Sequence, residues 1–337
     1  MSMRPVAFLC GGIGDQLLHF SQLQALTSLY SPKIDIYCQH PAIMKDIILG
    51  SEWAGSITDI KPLKKIINLQ KYKDAVRELQ QRNVDVAVIF HPSTSFKLAA
   101  HFAKVPQRIG FSYSWPDKLF LTKDLVEQGK ETETELLWGH RPFGGLFDRF
   151  LLQQEIDPVG TTPIKPLEFQ RQFYQDMFAA YPRPHIITTL YSQDKDRCWP
   201  VLRAADCLSN VVKQYGGTIF ISSGDDAREM NAEFINHWPE SLPAPVDVRR
   251  VTSEIKNELG LFHFADLFLG INSFTANLAM NCDLPSIILF HKRSYMLNYR
   301  KNSIGLYPVR GTKIADICNE DIKEKIDVVL GPKKINK

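Results

Sequence analysis

The chain has 337 residues, 44% of them hydrophobic, and a formal net charge of +3. That length fits roughly two domains. The apolar content excludes a disordered chain, and so small a positive charge excludes a nucleic-acid footprint.

Short β-branched runs alternate with amphipathic stretches from the start. PVAFLC (5–10) predicts a strand and residues 15–30 a helix, with the turn GGIG between them. KIDIYCQ (33–39) is the next strand, followed by a short helix after Pro41; VDVAVIF (84–90) is a strand and 95–104 a helix. From 112 to 139 the pattern fades into aromatics, Pro116 and the acidic run ETETE, which predicts a long loop or loop–helix region. A helix resumes over 145–154. DPVGTTPIKP (157–166) then reads as a linker, with a further helix over 168–180. The second half repeats the grammar. HIITTLY (185–191), TIFISS (218–223), VDVRRV (246–251), ADLFLGI (265–271) and PSIILF (285–290) predict strands. Helices are predicted at 200–215, 226–237, 254–263 and 274–282, with a closing helix over 319–330.

Strands alternating with helices predict βαβ units and parallel sheets, here as two doubly wound halves. The six cysteines (Cys10, Cys38, Cys198, Cys207, Cys282, Cys318) lack CxxC spacing and read as reduced, mostly buried thiols. No apolar run reaches the ~18 residues that span a bilayer, and the N-terminal stretch lacks signal-peptide order. The expectation is a cytoplasmic protein, with loose contact at an anionic membrane surface left open.

Ligands of open parallel sheets bind beyond the carboxyl ends of the strands, so the loops there carry the candidates. GGIGDQ is neither a dinucleotide fingerprint, since Leu17 replaces the third glycine, nor a P-loop, since no Gly-Lys-Ser/Thr follows. Its Asp15 would repel a phosphate. Two readings stand: an acid capping a helix N-terminus, or a general base. In YSQDKDRCWP, Lys195 is placed to reach a diphosphate. In ISSGDDARE, Ser222 and Gly224 form a close-approach turn, and Asp225, Asp226 or Glu229 is available to a ribose. In GINSFTANLAM, Ser273, Thr275 and the N–H groups over 274–277 form an anion site. His91, Lys97, Arg108 and His140 are candidate groups of the first half, with structural or solvated roles as the alternative for each.

Four stretches in this order and spacing, GIGDQLLHFSQLQAL, STSFKLAAHFAKVPQRIGF, DKDRCWP and GINSFTANLAMNCDLPSIILF, resemble the lipopolysaccharide heptosyltransferases of glycosyltransferase family nine. The resemblance covers about residues 5–330. It implies an α/β GT-B fold: two Rossmann-like doubly wound domains facing across a cleft. Residues 1–160 would take the acceptor and 161–337 the nucleotide sugar, the last helix being free to pack back on the first domain. It implies inverting, metal-independent transfer of heptose from ADP-heptose to a lipopolysaccharide core, with no cofactor beyond the donor. By the same resemblance Asp15 is the general base. Lys195, Ser222, Gly224, Glu229, Asn272, Ser273, Phe274, Thr275, Ala276 and Asn277 hold the donor. Gly14, His91, Lys97, Arg108 and His140 face the acceptor. Peripheral contact with the inner face of an inner membrane also follows from it. One departure stands out. The family reads Asp-Thr-Gly-x-x-His in the donor loop, where this chain has Asn272, Ser273, Phe274 and, at the histidine position, Asn277. The acid, the glycine and the histidine are all replaced, which opens the donor's identity and affinity.

Overall fold

The computed structural model describes residues 3–64, 69–112, 114–126, 143–158, 163–292 and 301–331. The chain divides into two units, Met1–Pro163 and Ile164–Lys337, the division falling within the proline-rich stretch 157–166.

In the first unit β1 (Pro5–Phe8), β2 (Ile34–Cys38), β3 (Ala54–Asp59), β4 (Val86–Ile89), β5 (Gln107–Gly110) and β6 (Lys123–Asp124) form one parallel sheet in the order β3-β2-β1-β4-β5-β6. In the second, β7 (His185–Thr188), β8 (Thr218–Ile221), β9 (Val246–Asp247), β10 (Leu267–Ile271), β11 (Ser286–Leu289) and β12 (Ser303–Leu306) are ordered β12-β11-β10-β7-β8-β9. Renumbered from its own first strand, that is the same 3-2-1-4-5-6 order, the doubly wound arrangement that binds ligands where the order reverses. The reversal lies between β1 and β4 in one unit and between β7 and β10 in the other. The four strands flanking these points are buried along their whole length. Helices cover both faces, so a continuous apolar run replaces alternation.

Several expectations are corrected. The helix over 15–30 is two pieces, α1 (Ile13–Leu17) and α2 (Phe20–Leu26). The chain breaks at His19, whose buried ring packs on Phe90 at 4.6 Å and bonds Gln22 at 2.9 Å. VDVRRV stays extended only to Asp247. The Asp247 carboxylate then accepts the Arg249 N–H (3.1 Å) and turns 248–250 into a 3₁₀ turn, a local bond that outcompetes the ladder. After α3 (Pro41–Ile47), the stretch 50–83 holds β3, α4 (Lys61–Lys64) and α5 (Leu69–Gln81). In the closing helix Asn319–Leu330, Ile322 and Ile326 join the second unit's core beside Ile287 and Leu289. All six cysteines are free; Cys10, Cys38, Cys207 and Cys282 are buried, Cys198 is half-buried and Cys318 exposed. Among the described residues no helix is long and apolar enough to cross a membrane.

Candidate functional site

The first unit's reversal point is framed by the loops after β1 and β4. After Phe8 the chain reaches Gly11, whose φ of +110° is open to glycine and strained for other residues. Amides brace the turn. Gly11 N–H donates to Gln39 Oε1 (2.9 Å), buried Gln16 donates to the Gly11 carbonyl (3.1 Å), and Gln16 Oε1 accepts the Gln39 N–H (3.3 Å). Asp15, in the first turn of α1, is exposed, and its Oδ2 accepts the Gly12 N–H at 3.0 Å. A Cβ on Gly11 would lie 3.1 Å from that oxygen, and one on Gly12 3.3 Å. The glycines therefore make room for a carboxylate rather than for a phosphate. The second oxygen, Oδ1, has no hydrogen-bond partner among the described residues. Gly14, the residue before Asp15, is half-buried in the same turn of helix.

Across the reversal, His91 Nδ1 accepts the Ser93 N–H (3.1 Å), which leaves the proton on Nε2. Burial first, then the Lys64 and Lys97 ammonium groups, push its pKa down to about 4, so it is a neutral donor near pH 7. Lys64 is exposed at the end of α4 and also acts on the Cys10 thiol, which places its charge at the mouth of the β1 loop. The sequence pattern assigns 60–64 to no element, so Lys64 is not among its candidates. The apolar pair Ile60 and Leu63 just beyond an unrecognised strand was the available signal.

Two acceptor candidates have their side chains committed within the first unit. Lys97 is 0% exposed. Its Nζ is 2.8 Å from the Asp117 carboxylate, also 0% exposed, and donates to the Pro92 carbonyl at 2.9 Å. Burial lowers its pKa, and the Asp117 partner opposes that. It ties α6 (Thr94–Phe102) to α7 (Trp115–Phe120). Arg108 sits at the amino end of β5, the wrong end for a ligand, and its guanidinium donates to the carbonyls of Phe120 (2.7 Å) and Val105 (2.5 Å). His140 lies outside the described residues.

The second unit's reversal point is framed by the loops after β7 and β10, and it is cationic. The loop after β7 ends in a 3₁₀ turn, Lys195–Arg197, in which Asp194 Oδ1 accepts the Asp196 N–H (3.1 Å). Lys195 is exposed, with no ion pair among the described residues. Arg197, unnoticed in the sequence, donates to the Asn272 carbonyl at 2.7 Å and so joins the two loops. Asn272, Ser273 and Phe274 are half-buried at the end of β10. Ser273 Oγ caps the helix Phe274–Asn281 by accepting the Ala276 N–H (3.3 Å), which leaves the N–H groups of Phe274 and Thr275 for an incoming anion. Beyond β11, His291 is held below its usual pKa by burial and by Lys292 and Arg197, so those two charges share the rim.

Other donor candidates turn inward. Thr275 Oγ1 donates to the Ser222 carbonyl (3.3 Å), and Ser222 Oγ donates to buried Glu258. Both hydroxyls are thus committed, and only backbone groups of these residues remain for a ligand. Ala276 is fully buried, and Asn277 is buried with its Oδ1 unpaired among the described residues. Gly224 is exposed; a Cβ there would fall 2.7 Å from Asp226 Oδ1. Glu229 is exposed on the first turn of the helix Arg228–Asn236. Close by, a cavity of about 330 Å³ is lined by Gly224, Asp225, Arg228, Asp247, Arg249 and Arg250 among others. Arg249 is fixed there by the carbonyls of Ser223 (3.1 Å) and Ser253 (2.9 Å).

Two Rossmann-like units in one chain, each open at the carboxyl end of its sheet, define an α/β protein of the GT-B class. Solved structures agree. A glycosyl transferase of family 9 from Veillonella parvula matches with a TM-score of 0.75, at 14% identity and over 98% of both chains. The Escherichia coli ADP-heptose lipopolysaccharide heptosyltransferase II matches with a TM-score of 0.73, at 13% identity, over 97% of this chain and 98% of that one. A UDP-GlcNAc 2-epimerase from Methanocaldococcus jannaschii shares the fold less closely, with a TM-score of 0.53 at 13% identity over 98% and 94% of the chains. No protein-family model matches the sequence, and no curated protein matches it.

Proposed function

We propose that the chain is an inverting, metal-independent glycosyltransferase. In this reading it moves a sugar from a nucleoside diphosphate to a hydroxyl of a glycan acceptor, with heptose from an ADP-linked donor and a lipopolysaccharide core as the pair to test first. The observation that carries it is the chemical contrast between the two rims. One presents an exposed carboxylate with a free oxygen, and the other presents Lys195, Arg197 and an open helix N-terminus.

The chemistry follows from those groups. Asp15 Oδ1 takes the proton of the acceptor hydroxyl as that oxygen bonds to the anomeric carbon and the bond to the nucleotide diphosphate breaks. Negative charge grows on the departing diphosphate, where Lys195 and the N–H groups of Phe274 and Thr275 stabilise it. Neutral His91 offers Nε2–H to an acceptor oxygen without competing for Asp15. The cavity beside Gly224 and Arg249 suits ribose or base, with Glu229 at its side.

The heptosyltransferase neighbour supports the transferase reading, and the epimerase neighbour supports a second: a nucleotide-sugar enzyme that needs no acceptor. The replaced donor loop favours a third, a nucleotide-sugar-binding subunit with little turnover. One experiment separates them. Purified chain is incubated with ADP-, UDP-, GDP- and CMP-linked sugars, with and without glycan acceptors, and products are read by mass spectrometry. Transfer that needs the acceptor and is lost in Asp15→Asn supports the proposal. Conversion of the donor sugar without acceptor, or binding without any product, overturns it.

A further inference from the structure

We infer that His19 is a specificity-determining residue of the first rim, its bare Nε2 accepting a hydrogen bond from a second hydroxyl of the acceptor, beside the one that Asp15 deprotonates. The inference rests on the transfer reading above and adds a requirement to it: the acceptor carries two neighbouring hydroxyls.

Three side chains in a row decide which nitrogen of the His19 ring holds the proton. Asp148, on the helix Phe143–Leu152, brings a carboxylate, and a carboxylate accepts; Gln22 Nε2 donates to its Oδ1 at 2.7 Å. That bond orients the Gln22 amide, nitrogen toward Asp148 and oxygen toward His19. The oxygen lies 2.9 Å from His19 Nδ1 and can only accept, so Nδ1 carries the proton and Nε2 is left as a lone pair. Burial pushes the pKa of the ring down to about 4, with the Gln22 bond opposing, so the ring is neutral near pH 7. Nε2 has no hydrogen-bond partner among the described residues.

The position fits a ligand. The His19 ring packs at 4.6 Å on Phe90, which joins the end of β4 to His91, and Phe147 backs Phe90 at 4.0 Å. Asp15 precedes His19 by four residues. Leu18 and His19 keep right-handed dihedrals, so the two side chains leave the same side of the chain. A histidine that only serves the fold looks different. His185, fully buried in the second unit, has Nδ1 on the Tyr174 hydroxyl (2.8 Å) and Nε2 on the Tyr181 carbonyl (3.0 Å). His19 is 7% exposed and has one nitrogen satisfied. A lone pair held from water without a donor destabilises the fold, and an incoming O–H relieves that. Carboxylate and phosphate oxygens would be repelled there. The rim thus offers two acceptors, Asp15 and His19, and one donor, His91, a set that matches adjacent hydroxyls.

The test joins two measurements on the full chain. Nitrogen NMR of isotope-labelled histidines, with His19→Gln to assign the signal, should show His19 neutral with its proton on Nδ1. A proton on Nε2 overturns the inference. Kinetics then use the donor and acceptor with which the product screen shows transfer. His19→Phe should raise acceptor KM about tenfold or more, with donor KM and kcat near wild-type values. His19→Gln, which keeps an oxygen to accept the hydroxyl, should recover most of that loss. A wild-type acceptor KM in His19→Phe overturns the inference and leaves the transfer reading standing. Equal losses in the two variants overturn it as well, and assign His19 to the fold alone. No transfer by the wild type in any pairing overturns the transfer reading, and the inference falls with it.

Discussion

The two units share a strand order and differ at the point where ligands of that order bind. In the first, the loop after β1 is braced by the side-chain amides of Gln16 and Gln39, its histidine is neutral, and an acid stands at its edge. In the second, the corresponding loops carry Lys195 and Arg197, with Lys292 on the neighbouring loop. Topology sets where a ligand lies, and a handful of loop residues set what charge it can bear. A nearly neutral rim with one carboxylate suits a hydroxylated acceptor that must lose a proton. A cationic rim suits a diphosphate.

That contrast breaks first at Asp15. A general base contributes roughly 10²–10⁴-fold, so Asp15→Asn should lower turnover by that range and leave nucleotide affinity untouched. Steady-state kinetics with calorimetry on the same variant checks both halves. If nucleotide affinity falls instead, the carboxylate has no role confined to the first unit. The next test concerns Lys97, the cation the sequence offered to the first rim. Breaking a buried pair by removing one partner costs about 3–5 kcal/mol. Lys97→Ala should therefore show its loss in a urea unfolding curve, with acceptor KM near the wild-type value for the folded protein. A stable variant with a raised KM would return the lysine to the rim.

Lys195 tests the other side. It is exposed and unpaired among the described residues, so Lys195→Ala should leave the fold alone. A hydrogen bond to a charged group is worth about 1.5–3 kcal/mol, or roughly 10- to 100-fold in affinity. Calorimetry with ADP should register that loss, and it should be smaller with AMP, which lacks the second phosphate. An equal loss with both nucleotides would move the lysine away from the diphosphate.

The interior strands were legible because burial on both faces makes them continuous apolar runs. Phe8, Ile89, Ile187 and Leu269 sit in such runs. The lateral strands were not. AGSITD (54–59) is half-buried and polar, QRIG (107–110) begins with two polar residues, and SIGL (303–306) is short. The site was legible as loops but not as side chains. Spacing put Asp15, Lys195 and Ser273 at strand mouths, and they are there. Nothing in spacing shows that Lys97 folds under α7, that Ser222 and Thr275 spend their hydroxyls inside the unit, or that Arg108 stands at the amino end of its strand. Those outcomes depend on partners distant in sequence: Asp117, Glu258 and Phe120.

Glu258 gives the smallest effect and bears on the charge that Arg249 carries in the second unit. Its carboxyl is buried, and burial raises its pKa, with Asp247 adding to that and the Ser222 hydroxyl and Arg249 opposing it. A carboxyl raised on folding contributes stability that is fully present below its unfolded pKa and is lost as pH rises through the folded value. A carboxyl pushed toward its neutral form cancels less of the charge on Arg249. Glu258→Gln keeps an oxygen to accept the Ser222 hydroxyl and removes the titration. It should match the wild-type melting temperature near about pH 4 and exceed it near about pH 8, the gap widening with pH. A variant that melts below the wild type at the higher pH would show the carboxylate held ionised against Arg249. The charge of Arg249 would then be partly cancelled, and the contrast between the two units would be one of degree.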